Sequence, residues 1–124
     1  MQIAVVEDQI VLADLLKYIL ETRGHTVDVY ATRWQAIQDA PVSKPEIIIS
    51  DYVIPNDMEL PKFLESLKDV PWVKCVMVMS GYKEGEKAAA EHHLQFLAKP
   101  FAIHEVLEKI ENCARVIASQ RALA

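Results

Sequence analysis

Ile47-Ile48-Ile49-Ser50-Asp51 is an unbroken apolar run that ends in a hydroxyl and an acid. Three β-branched residues in succession, with no polar alternation, read as a strand buried on both faces. Other short, largely apolar runs recur on either side: Ile3-Ala4-Val5-Val6 and Thr26-Val27-Asp28-Val29 before it, Cys75-Val76-Met77-Val78-Met79 and Leu94-Gln95-Phe96-Leu97-Ala98 after it. The segments between carry helical period, so strand and helix alternate five times, which predicts an α/β fold with a doubly wound parallel sheet covered on both faces.

The helices are placed by apolar spacing and end signals. Leu12, Leu15, Leu16 and Ile19 predict one face of the first helix, with Gly24 taking the left-handed conformation after it. Thr32 and Gln35 form a capping box, and Pro41 is expected to stop the second helix early. Pro61 suits the first turn of a helix carrying Phe63, Leu64 and Leu67, which leaves residues 52–60 as a long loop. The fourth helix is expected over roughly Glu84 to His93. The fifth is read from Ile103, Val106, Leu107, Ile110, Cys113, Ala114 and Ile117.

A chain of 124 residues is expected to be a single domain over 1–124. Apolar residues make up 52%, charged residues 25%, and mean hydropathy is +0.09, the composition of a folded domain. A net charge of -5 with no basic stripe argues against direct nucleic-acid binding. No apolar run reaches the length of a membrane span, and the opening Met1-Gln2-Ile3-Ala4 enters a strand without a basic leader, so a soluble, cytoplasmic protein is expected. Cys75 and Cys113 sit among apolar neighbours without ligand spacing and are expected to be reduced core thiols. His92 and His93 lie about 100° apart on a helix and read as solvated, while Trp34 and Trp72 read as packing residues.

The polar residues with chemical potential sit at the strand ends. The first strand ends in Glu7-Asp8, the third in Ser50-Asp51, the fourth in Ser80-Gly81 and the fifth in Lys99-Pro100. In an open doubly wound sheet these C-terminal ends meet at one crevice. Three carboxylates there repel one another by about 4 kcal/mol per pair at 4 Å and an effective dielectric near 20. Lys99 offsets one charge, and the remainder suits a hard divalent ion that keeps waters, Mg²⁺ before Ca²⁺.

At these residues the chain closely resembles the receiver domains of two-component response regulators, of the chemotaxis-regulator type. The resemblance covers essentially the whole chain and rests on Glu7-Asp8, Asp51-Tyr52-Val53-Ile54-Pro55, Ser80-Gly81 and Phe96-Leu97-Ala98-Lys99-Pro100-Phe101. It implies a flavodoxin-like strand order 2-1-3-4-5 with five helices. It implies Asp51 as phosphoacceptor, Mg²⁺ held by Glu7, Asp8, Asp51 and the backbone carbonyl of Val53, and phosphoryl contacts from Ser80 and Lys99. Phe96 takes the place of the switch aromatic that moves with Ser80, Val53 and Tyr82 take the places that set phosphoryl lifetime by screening water, and the Lys99-Pro100 bond is expected to be cis.

The donor implied is a sensor histidine kinase or histidine phosphotransfer protein. The surface of the fourth helix, fifth strand and fifth helix would then change its affinity for a downstream protein or output domain, and could support a phosphorylation-linked dimer. The resemblance loosens twice: Asn56-Asp57-Met58-Glu59-Leu60-Pro61 lacks the family's glycine, and Ala90-Glu91-His92-His93-Leu94 must turn into the fifth strand without one. A different function on the same fold is a phosphorylation-independent adaptor, a pseudo-receiver, against which the intact acid, hydroxyl and lysine set argues. A haloacid dehalogenase-type phosphatase would need an acid where Val53 stands.

Overall fold

A computed structural model describes residues 1–123. Among them the order is β1 (Gln2–Val6), α1 (Ile10–Glu21), β2 (Thr26–Tyr30), α2 (Arg33–Ser43), β3 (Ile47–Asp51), α3 (Leu60–Leu67), β4 (Cys75–Ser80), α4 (Lys83–Glu91), β5 (Gln95–Ala98) and α5 (Ile103–Leu123). The strands form one parallel sheet in the order β2-β1-β3-β4-β5, as expected. β3 lies at its centre and is buried along its whole length, which is why its sequence carries no alternation.

Alternate strand residues divide the core into two layers. Ile3, Val5, Ile47, Ile49, Met77 and Leu97 pack with Leu16 and Leu20 of α1 and Val106, Ile110 and Ile117 of α5. Ala4, Val6, Ile48 and Val78 face the other way, against Ala36 of α2, Phe63 of α3 and Ala89 of α4.

Register then lines up the strand ends. Val6 pairs with Ser50, Asp51 with Met79, and Ser80 with Ala98. Glu7, Asp51, Ser80 and Lys99 therefore leave the sheet along one edge, although they are scattered from one end of the chain to the other.

Several local expectations hold. Gly24 has φ +86 after α1, Thr32 caps α2 by accepting from the Gln35 N–H at 3.0 Å, Pro61 lies in the first turn of α3, and the Lys99-Pro100 bond is cis. The two turns that lack glycine are made by Asn56 at φ 58 and His93 at φ 57. Asn is one of the few residues that enters this region readily.

Four expectations are corrected. The buried stripe of α1 is Ala13, Leu16, Ile19 and Leu20; Leu15, about 100° round the helix from Leu16, faces solvent. Pro41 does not stop α2, which runs on to Ser43 because only the last turn loses a backbone bond there; Lys44, at φ 54, ends it. Trp34 is exposed, with the Lys62 ammonium 4.9 Å from its ring centroid, a cation–π contact in place of core packing. Cys75 and Cys113 are paired as a disulfide, because the fold brings the start of β4 against α5 with a Cα–Cα distance of 6.1 Å. A separation of 38 residues hides that proximity in the sequence.

Candidate functional site

Each predicted site residue is delivered by the end of a strand. Glu7 follows β1 and is buried, 2% exposed, while Asp8 beside it is open to solvent. Asp51 is the last residue of β3 and Ser80 the last of β4, both buried. One oxygen from each of Glu7, Asp8 and Asp51 lies within 4.8 Å of the others. Lys99 reaches in from the end of β5, its Nζ 2.7 Å from Glu7 Oε1 and 3.1 Å from Asp51 Oδ1. Asp8, Asp51, Val53, Ser80, Tyr82 and Lys99 line a cleft of about 470 Å³.

Burial pushes the Glu7 carboxyl above the usual carboxylate range, and Asp51 and Asp8 push it the same way; the bonds from Lys99 and the Gln9 N–H pull it back only in part. Burial pulls the Lys99 ammonium down, but its bond to Glu7 and the charge of Asp51 outweigh this and hold it above the ordinary lysine value. The cluster is thus a set of acids short of positive charge. Hard oxygen donors this close, one of them desolvated, fit Mg²⁺ bound through carboxylates, with Asp8 on the open side where the ion can keep its waters.

Of the remaining expected residues, Val53 and Tyr82 are 50% and 65% exposed, and both border the cleft. Phe96 on β5 is half-buried against the α2–α3–α4 layer, at the position paired with Val78. Ser80 Oγ accepts from the Tyr82 N–H at 2.9 Å. His92 and His93 are exposed.

Two residues that shape the site carry no obvious mark in the sequence. Arg33, at the start of α2, is 2% exposed. A cation in the first turn of a helix opposes the helix dipole, and that local misfit is the one sequence signal pointing to it. Gly85 of α4 presses on Ser80: a methyl group there would overlap Ser80 Cβ and Oγ and approach Tyr52 Cβ at 3.4 Å.

Alanine at position 85 should gain about 0.5–1 kcal/mol of helix propensity and lose about 1–3 kcal/mol to overpacking, because the atoms it meets belong to a buried residue at a strand end. Gly85→Ala is therefore expected to lower the urea midpoint of unfolding. Gly81→Ala, whose added carbon would come no closer than 3.6 Å, to the Lys99 carbonyl oxygen, should stay within about 0.5 kcal/mol of wild type. Equal midpoints for the two variants would refute the close packing of α4 on Ser80.

The response regulator receiver domain family matches residues 3–111. The phosphate regulon transcriptional regulatory protein PhoB of Rhizobium meliloti is 27% identical over 118 residues, covering 92% of this chain and 52% of its own length. The chain thus spans about half the length of that relative. The receiver domain of the hybrid histidine kinase CckA superposes with a TM-score of 0.75 at 25% identity, over 91% of this chain and 98% of that one. The chemotaxis protein CheY4 of Vibrio cholerae does so with a TM-score of 0.78 at 20% identity, over 90% and 97%. With the family match running from the first strand into the fifth helix and the fold superposing on these structures over nine-tenths of its length, the chain belongs to the response regulator receiver domains of two-component signalling.

Proposed function

We propose that this receiver domain, taken over residues 1–124, is a phosphorylation-operated switch that accepts a phosphoryl group on Asp51 in a Mg²⁺-dependent reaction. The observation that carries this reading is the Lys99 ammonium bonded to both Glu7 and Asp51 beside Asp8, in a cleft open to solvent. The donor is the phosphohistidine of a sensor histidine kinase or a histidine phosphotransfer protein.

An Asp51 carboxylate oxygen attacks phosphorus, the P–N bond to the imidazole breaks, and its electron pair returns to the ring nitrogen, which takes a proton from solvent. Glu7, Asp8, Asp51 and the Val53 carbonyl would hold Mg²⁺, which when bound neutralises charge on the acids and on the phosphoryl oxygens. Lys99, already 3.1 Å from Asp51 Oδ1, is placed to follow the charge onto a phosphoryl oxygen. The chain thereby assists its own phosphorylation, and the cytoplasmic location proposed for it rests on the donor and not on its cysteines.

Ser80 can read the product. Its hydroxyl now lies against the Tyr82 backbone, and a bond donated to the new phosphoryl group would draw the β4–α4 loop inward. Phe96 would turn into the space released, changing the surface of α4, β5 and α5 that meets a downstream protein, an output domain or a second copy of the chain. Val53 and Tyr82 at the cleft mouth would screen the acyl phosphate from water and make self-dephosphorylation slow.

Incubation with acetyl phosphate and Mg²⁺, then intact mass measurement, is expected to add one phosphoryl group to wild type and none to Asp51→Asn or to a chelator control. Lys99→Met should slow the addition by about a hundredfold or more. No gain by wild type would leave the phosphorylation-independent adaptor as the function. In the same assay the acyl phosphate of Val53→Asn and Tyr82→Glu should decay faster than that of wild type; unchanged decay would remove the screening role.

A further inference from the structure

Behind the acid cluster lies a second cation that the phosphoryl chemistry does not use. Arg33 enters the protein from the N-terminus of α2, and every bond of its guanidinium goes to the segment that carries the acceptor. Nε donates to Ser50 Oγ at 3.2 Å, Nη2 to the carbonyls of Asp51 at 2.5 Å and Tyr52 at 2.8 Å, and Nη1 to the carbonyl of Met58 at 2.8 Å. The Phe63 ring lies 6.0 Å from Cζ on one side.

Asp57 fastens the same loop to the same helix end in the opposite sense. Its carboxylate accepts from the backbone N–H groups of Arg33 at 2.6 Å, Trp34 at 3.3 Å and Met58 at 2.9 Å. It caps the helix dipole at the point where Arg33 opposes it. The loop from Tyr52 to Glu59, which has no glycine and bends at Asn56, is thus gripped at its start and near its end by one buried side chain.

A buried guanidinium costs several kcal/mol to desolvate unless its donors are paired. Burial pulls Arg33 below the ordinary arginine value, with Asp57 and Asp51 acting the other way. A hydrophobic side chain of similar volume could fill the space, so filling is not what selects arginine here. Its planar fork reaches several fixed oxygens at once, which a lysine ammonium cannot do. The oxygens it fixes belong to the peptide planes of Asp51 and Tyr52, the two that separate the acceptor carboxylate from the Val53 carbonyl.

We propose that Arg33 is a positioning residue for phosphorylation at Asp51: by clamping the Asp51, Tyr52 and Met58 carbonyls it sets the loop geometry on which cation binding beside Asp51 depends. This rests on the reading of Asp51 as phosphoacceptor. Partners that orient the ligands of a metal typically change its affinity by about ten- to hundredfold when removed.

The test compares wild type, Arg33→Lys and Asp57→Ala by Mg²⁺ titration calorimetry, by acetyl phosphate labelling rate against Mg²⁺ concentration, and by urea unfolding. Arg33→Lys is expected to bind Mg²⁺ about ten- to hundredfold more weakly and to need correspondingly more Mg²⁺ for half-maximal labelling, with the maximal rate less affected. Asp57→Ala, which loosens the same clamp while keeping the guanidinium, should move both readouts in the same direction by less, and decides the matter if Arg33→Lys fails to fold. Variants that lose stability but keep wild-type Mg²⁺ affinity would make Arg33 a structural residue only and overturn the proposal. Wild type that binds Mg²⁺ yet is never labelled would instead overturn the phosphoacceptor reading, leaving the effect of Arg33 on Mg²⁺ affinity to be judged separately.

Discussion

Glu7, Asp8 and Asp51 are brought within 4.8 Å of one another by strands that have no freedom to separate them. β1 and β3 are adjacent and parallel, and Val6 opposite Ser50 puts the next residue of each strand side by side at the sheet's edge. Each pair of charges at such a distance costs about 4 kcal/mol at an effective dielectric near 20. Sliding one strand by a single residue would relieve the repulsion but turn every buried side chain of that strand to the wrong layer. The hydrophobic register therefore holds the acids together against their charge.

The elements around the edge are arranged as answers to that constraint. β5 brings Lys99 to the front of the cluster, bonded to Glu7 and Asp51. α2 brings Arg33 to the back, bonded to the main-chain carbonyls of Asp51 and Tyr52. Together they place positive charge on both sides of Asp51 while leaving its open face, with Asp8, toward the cleft. α4 closes the remaining side, with Gly85 so near Ser80 that an added methyl group would overlap its side chain. A site built this way is short of positive charge, and under the proposed function a divalent ion and a phosphoryl group would suit it as a pair, since each would offset the charge that the other leaves.

The strands and the residues of the candidate site were legible in the sequence for one physical reason: a parallel sheet covered on both faces buries its central strands and exposes chemistry where they end. Glu7-Asp8, Ser50-Asp51, Ser80 and Lys99 each come directly after an apolar run, and the topology puts all those ends together. The features that escaped reading depend on contacts between distant segments. Arg33 looks like a solvated cation at a helix start until the loop after β3 folds over it. Cys75 and Cys113 look unrelated until β4 meets α5. Leu15 and Pro41 differ for local reasons, a helix rotated by one position and a last turn that tolerates a missing N–H.

The most direct measurement is the stability of wild type and Asp51→Asn in urea with and without Mg²⁺, at matched ionic strength so that screening of the cluster is the same throughout. A cluster that holds the ion should stabilise wild type by about 2.7 kcal/mol when Mg²⁺ is present at a hundred times its dissociation constant. Asp51→Asn, lacking one of the three acids, should gain far less. Equal gains in the two proteins, or no gain in either, would contradict the claim that Glu7, Asp8 and Asp51 act as one cation site.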